Sequence, residues 1–321
     1  MTDLHIPRGQ TVTLTRVEGD IEVGHNATMQ SDEGKSIVVA GDIYLEGKAY
    51  INGNLECESL QSGIFLSRHR EINVGGQRAR LDLTGRYVGK LKVDGNLAVH
   101  KQLSVSHSVE VQGTISAGDI DVGGKIEAEA IKCGRIRVGG RADVRGLFEA
   151  SSVEVGGKVE GGIAKIGDLN VGGEAEFDGG SIKGNIRVGG RFTSKSPLEF
   201  GDLLVYGKGE LTGGSKGHKI STFGKLEVNG DLNCDIIETG GVIEIRGDCR
   251  SQRVETGARL EVGGVLHVSD RIEGVGVTEV GGNLESTHLK ISGRLVANKI
   301  IVGEDADISG KIEAKLKSIA I

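Results

Sequence analysis

The sequence predicts an all-β chain wound as a three-sided parallel β-helix, a single domain over residues 1–321. Three observations predict it. The first is a repeated unit. Asp119-Ile120-Asp121-Val122-Gly123-Gly124 returns as Arg135-Ile136-Arg137-Val138-Gly139-Gly140, Ser152-Val153-Glu154-Val155-Gly156-Gly157, Asp168-Leu169-Asn170-Val171-Gly172-Gly173 and Asn185-Ile186-Arg187-Val188-Gly189-Gly190. Successive valines lie 16 or 17 residues apart, and a fixed period of this kind marks a repeat architecture. The second is alternation within each unit: polar and aliphatic residues take turns, the period of a strand with one buried face. The third is composition. Glycine is 54 of 321 residues, aromatics are 3%, and there is no tryptophan. A narrow interior filled by Val, Ile, Leu and Ala suits that scarcity of large rings.

Gly-Gly ends each unit, and glycine reaches unusual backbone angles without steric cost, so the chain can turn a corner there. Between these corners lie two weaker alternating segments, such as Glu174-Ala175-Glu176-Phe177 and Ser181-Ile182-Lys183. Each period therefore holds three short strands and three corners. A strand of four or five residues cannot bury its apolar face alone. Laying each strand on its counterpart one period earlier, about 4.8 Å away, stacks the inward side chains in columns. On this basis the chain makes about 16–19 coils of 16–18 residues. A solenoid grows by adding turns, so length alone does not demand a second domain.

Taken in order, residues 1–59 begin the coil. Val12-Thr13-Leu14-Thr15 alternates, and Val17-Glu18-Gly19-Asp20-Ile21-Glu22-Val23-Gly24 is a strand, corner, strand unit that Val38–Gly47 repeats. The first residues carry no apolar signal core, and no stretch approaches 18 consecutive apolar residues. The expectation is a soluble cytoplasmic protein with no integral membrane segment, associated with a membrane only through partners. Cys57, Cys133, Cys234 and Cys249 contain no Cys-x-x-Cys pair and read as reduced core or surface residues.

Residues 60–92 break the rhythm. Arg68, Arg70, Arg78, Arg80, Arg86, Lys90 and Lys92 face only Glu71 and Asp82, on a chain whose formal net charge is −6. This is a solvated loop or strand face, or a candidate docking patch for an acidic partner, nucleic acid or anionic lipid. Only Phe65 and Tyr87 could stack on bases, so nucleic acid is not a clear partner. Residues 93–190 hold the most regular coils. Residues 191–225 are a second irregular stretch: Gly207 is followed by Gly230 after 23 residues, and Thr212–Lys219 reads as an inserted loop. Phe192, Phe200, Tyr206 and Phe223 are expected to patch an irregular core there. The coil then resumes through Val228, Ile245 and Val262 at steps of 17 and ends apolar at Leu316, Ile319 and Ile321.

Chemical motifs are sparse. Gly85-Arg86-Tyr87-Val88-Gly89-Lys90 is one residue short of a phosphate loop and lacks the following Ser or Thr. No His-Glu-x-x-His occurs, and the eight histidines are scattered. No catalytic, cofactor-binding or metal-ligating residues are assigned, and the expectation is a protein that is not an enzyme. The ends carry the main functional expectation. First and last coils expose unpaired backbone groups, which invite another chain unless they are capped. Leu316, Ile319 and Ile321 at one end, with Val12 and Leu14 at the other, are the candidate polymer interface.

Val17-Glu18-Gly19-Asp20-Ile21, Val93-Asp94-Gly95-Asn96-Leu97, Val111-Gln112-Gly113-Thr114-Ile115 and Ile308-Ser309-Gly310-Lys311-Ile312 resemble the units of bactofilins, the polymer-forming cytoskeletal family. The resemblance runs over most of the chain, although its motif is low in complexity. It implies a right-handed helix that polymerises through its terminal coils without nucleotide. It also implies a scaffold role beside other cytoskeletal or envelope-associated proteins. This chain departs from the family in being much longer and in having no counterpart of the flexible tails or membrane-binding segment. Two other readings stand beside it: a monomeric rod whose Arg68–Lys92 face docks a partner protein, and a carbohydrate-active β-helix enzyme.

Overall fold

The computed structural model describes residues 3–32, 35–62, 73–74, 77–78 and 89–319. The chain divides into two compact units, Met1–Gly139 and Gly140–Ile321. Each is a parallel β-solenoid. There are about 15 turns and no helix among the described residues.

In the first unit, strands Leu4–Ile6, Thr11–Thr13 and Arg16–Val17 lie in parallel register on Ile21–Val23, Ala27–Gln30 and Val38–Val39. Three strands resting on three strands make the turn three-sided. The second unit repeats this arrangement. Arg141–Val155 pairs along nearly its whole length with Lys158–Val171, which pairs in turn with Glu174–Val188. Many turns run as one continuous strand because the corners bend without breaking the ladder.

The alternation read from the sequence places the core. Within the first unit Val122 stacks on Val138. Within the second, Val155 stacks on Val171 and Val171 on Val188. All five valines are buried. Where a ring enters the core, a neighbouring turn yields space. Phe148, Phe177 and Phe192 are wholly buried. A Cβ on Gly161 would come within 2.6 Å of the Phe177 ring, and one on Gly217 would overlap the Phe200 ring. Large against small across adjacent turns keeps a narrow interior at close-packed density.

Side-chain caps at two kinds of corner explain the recurring Gly-Asp and Gly-Asn pairs: Asp168 and Asn185 share a column with Asp202 and Lys219, whereas Asp231 and Asp248 precede the column Ser215, Leu232, Cys249, Leu266. Asn54 Oδ1 accepts the Asn96 backbone N–H at 2.8 Å, and Asn96 Oδ1 accepts that of Thr114 at 2.7 Å. Asp168 does the same for Asn185, Asp231 for Asp248 and Asp248 for Val265, each at 2.8 Å. Each carboxylate or amide thus satisfies a backbone donor one turn on that would otherwise sit half-buried and unpaired. Glycine precedes each donor residue because a Cβ at Gly95, Gly113, Gly184, Gly247 or Gly264 would collide with the accepting oxygen one turn back.

Two stretches differ from the sequence reading. Lys90–Val93 pairs directly with Lys48–Ile51, and Leu97 with Leu55. The offset there is 42 residues, against 16 to 22 at other turns. The ladder therefore passes straight from the turn ending at Ser62 to the turn beginning at Gly89. The strands flanking the intervening segment are direct neighbours, which is one reason there are fewer turns than the sequence period suggests. Within that segment only Asn73–Val74 and Gln77–Arg78 are described, as a short antiparallel pair.

By contrast, residues 191–225 are regular. Arg191 pairs with Lys208, Lys208 with Lys225, Glu199 with Lys216 and Lys216 with Asn233, all at a step of 17. Thr212-Gly213-Gly214-Ser215 is a tight corner inside its turn, with Gly214 at φ +83°, and not an inserted loop. The counterpart of the Tyr206-Gly207 corner is Phe223-Gly224, whereas Asn229-Gly230 is the following corner of that turn.

Candidate functional site

The strands Leu4–Ile6, Thr11–Thr13 and Arg16–Val17 each have a ladder partner on one side only among the described residues. Val12 lies over Met29 and Val17 over Val39. Leu4, Val12, Leu14 and Val17 are half-buried, whereas Ile21, Met29 and Val39 one turn on are fully enclosed. At the other end Ile291, Leu295 and Ala297 are buried, while Ile308, Ile312 and Ala314 are only half-buried. Inward side chains therefore lose cover at both ends, with Ile6 the exception that stays fully buried in the first turn. Leu316 and Ile319 fall within the strand Leu266–Ile319, but their side chains, like Ile321, lie outside what is described.

The candidate docking patch is not brought together within the described residues. Arg68, Arg70, Arg80 and Arg86 lie outside them, as do Phe65 and Tyr87, and Arg78 is placed only by its backbone in Gln77–Arg78. Lys90 and Lys92 belong to a solenoid strand. Lys92 Nζ pairs with Glu110 at 2.8 Å. The hydrogen bond and charge of Glu110 raise the Lys92 pKa above its ordinary value. That ammonium is already neutralised within the fold.

The most ordered electrostatic feature is a paired double column on one face of the second unit. Register stacks Glu210, Glu227, Glu244, Glu261 and Glu279 one above another. Carboxylates repeating at about 4.8 Å repel one another. Lysines and arginines two residues earlier in the chain offset that repulsion by bridging turns. Lys208 pairs with Glu210 at 2.7 Å and reaches Glu227 at 3.5 Å. Lys225 joins Glu227 and Glu244 at 2.8 and 2.9 Å. Arg259 joins Glu261 and Glu279, both at 2.9 Å. The Lys225 hydrogen bond holds the Glu227 carboxyl below the usual range. A shallow depression lined by Glu227, Glu244, Arg246 and Glu261 lies here, and each of its carboxylates has a cation partner.

Other reactive side chains are individually occupied. His100 meets Glu56 at 3.0 Å, and His218 meets Asp235 and His267 meets Glu285, each at 3.1 Å. Burial pushes the thiols of Cys57, Cys133, Cys234 and Cys249 up to about 12, so they stay protonated and unreactive at neutral pH. No group of three or more potential ligand side chains could hold a metal ion among the described residues.

One surface feature escaped the sequence reading. Phe192 and Phe200 are core residues as expected, but Tyr206 and Phe223 are 56% and 65% exposed. Their rings stack with centroids 5.7 Å apart and planes 10° from parallel. They stand at a corner, where a side chain projects outward instead of into the helix. The 17-residue step between them was the available signal. Matching Tyr206-Gly207 to Asn229-Gly230, a different kind of corner, hides it.

No helix among the described residues is long and apolar enough to cross a membrane. No protein-family model, curated protein or solved structure matches this chain.

Proposed function

We propose that this protein is a non-enzymatic structural scaffold whose solenoid self-associates end to end into nucleotide-independent filaments. The observation that carries this reading is the loss of cover at the terminal turns. Leu4, Val12, Leu14 and Val17 at one end, and Ile308, Ile312 and Ala314 at the other, are half-exposed members of columns that are otherwise closed. Stacking a further turn on each would bury them and pair the open strand edge. The likeness of the Val-x-Gly units to bactofilins supports the same reading, and it extends the partners to cytoskeletal or envelope-associated proteins in the cytoplasm. Electron microscopy of purified protein at micromolar concentration tests it. Filaments that ignore added nucleotide support the proposal, and Leu316→Lys with Ile319→Lys should abolish them while leaving the circular dichroism β-rich. Monodisperse particles at every concentration would overturn it.

One observation favours a second reading, a monomeric platform. The strands on either side of the basic segment pair with each other directly, so the coil closes between Ser62 and Gly89 without it. A segment so placed serves docking more than coil stability. Under this reading Arg78→Glu/Arg80→Glu weakens capture of an acidic partner protein and leaves folding unchanged.

A further inference from the structure

One corner of the unit Gly140–Ile321 carries one exposed position per turn. On its upstream side the register runs Val188, Val205, Thr222, Thr239, Thr256, Gly274. On its downstream side it runs Arg191, Lys208, Lys225, Val242, Arg259, Val277. The positions between are therefore Gly189, Tyr206, Phe223, Gly240, Gly257 and Val275, stacked in that order. Tyr206, Phe223 and Val275 are among the most exposed large apolar residues described, with Val275 63% exposed. The other three positions are glycine, which leaves a notch of bare backbone.

The order has a property that no single residue shows. Laid against its own reverse, every apolar side chain falls on a glycine: Phe223 on Gly240, Tyr206 on Gly257 and Val275 on Gly189. We propose that this corner is a self-complementary interface through which two copies of the chain pair side by side and antiparallel. The two-fold axis crosses between Phe223 and Gly240. Each copy's stacked rings fill the notch at the partner's Gly240 and the partner's Gly257, an isologous contact. A parallel arrangement would set ring against ring and leave both notches empty.

Charge on the flanks agrees with this pairing. The outward residues just before the corner are, turn by turn, Arg187, Leu204, Ser221, Glu238, Glu255 and Glu273. The same two-fold axis brings Arg187 opposite the partner's Glu273, which already pairs with its own Arg271 at 2.9 Å and gains a second cation, Leu204 opposite the partner's Glu255, and Ser221 opposite the partner's Glu238, which its own Lys219 holds at 2.7 Å. Arg187 is exposed and makes no ion pair among the described residues, so it is available. On the other flank Lys208 faces the partner's Arg259, but both are already neutralised by their own glutamates. Two rings and one valine per copy make a small interface, at the low end of specific contacts. Pairing is therefore weak and concentration-dependent. It involves no terminal turn and stands apart from end-to-end assembly.

Sedimentation of the full chain over a concentration series tests the pairing, together with the width of any filament in electron micrographs. Wild type should show reversible pairing, or strands two solenoids wide. Tyr206→Gly/Phe223→Gly should abolish it with unchanged circular dichroism, since glycine already occupies this corner at Gly189 and Gly240. Arg187→Glu should weaken pairing about tenfold through its two symmetry-related contacts. Adding Glu273→Arg should restore it. Within one copy these residues lie five turns apart, about 24 Å at the β spacing, so only a second copy can supply the rescue. Leu316→Lys/Ile319→Lys should leave the pairing intact. A wild-type chain that stays single at every concentration overturns the proposal. So does pairing that survives the double glycine variant, or an Arg187→Glu defect that Glu273→Arg fails to restore.

Discussion

The Gly-Asx corner can be tested as a coupled pair at Asp248 and Gly264. Asp248 Oδ1 accepts the Val265 backbone N–H at 2.8 Å in a part-buried setting. Asp248→Ala leaves that donor unpaired, which should cost about 1–2 kcal/mol, since hydrogen bonds to charged groups contribute about 1.5–3 and this one keeps some solvent. Gly264→Ala reaches the same bond from the other side. Its Cβ would collide with Asp248 Oδ1 and stand 3.0 Å from both C and O of Gly247. The carboxylate must move away, so the same bond is lost and some crowding remains, for a total of about 2–3 kcal/mol. Because one hydrogen bond can be lost only once, the double variant should cost about as much as Gly264→Ala alone. The cycle should show a coupling of about 1–2 kcal/mol. Urea midpoints of the four proteins give the energies, and amide exchange at Val265 reports the local opening. Strict additivity would refute the shared-bond explanation, as would undiminished protection of Val265 in Asp248→Ala.

Two further expectations concern the core and the charged face. Thr222 and Thr256 are buried with hydroxyls that have no partner, whereas Thr239 Oγ1 accepts the Gly241 N–H at 3.0 Å. Thr222→Val and Thr256→Val should each stabilise by up to about 1 kcal/mol, and Thr239→Val should destabilise by about as much. Thermal melts of the three variants give the signs, and a stabilised Thr239→Val would count against the assignment. The Glu160 carboxyl is held below its usual range chiefly by the Lys158 hydrogen bond, and Glu227 by that of Lys225. A lowered folded-state pKa contributes stability that is present above the unfolded value, about 4.3, and lost as pH falls through the folded one. Melting temperature should hold from neutral pH to about 5 and then drop. High salt should soften the drop, because these side chains face solvent. A flat profile down to pH 3 would remove the double column as a source of stability.

Much of the architecture was legible because a solenoid translates sequence period directly into spatial neighbours. Val155, Val171 and Val188 recur in sequence and therefore stack, since a chain closing its turn every 16 or 17 residues returns each position to its own column. The polar-aliphatic alternation likewise set which side chains point inward. The sequence reading matches Tyr206-Gly207 to Asn229-Gly230, which is a different corner of the next turn, instead of to Phe223-Gly224. At Tyr206 and Phe223 the corner keeps only its second glycine, and the true step of 17 was mistaken for a step of 23.

The sequence by itself determined the strand period, the inward columns and the dispersal of charge, because these follow from local alternation and constant spacing. Only the tertiary structure decided that Lys90 rests on Lys48 across 42 residues, since the length of an excursion does not say where the ladder resumes. It also decided which glycines leave room for an Asx cap and which for a phenylalanine ring, because that depends on the residue one turn away. The same holds for the order Gly189, Tyr206, Phe223, Gly240, Gly257, Val275. Those residues are far apart in the chain and become one surface only when the turns are stacked.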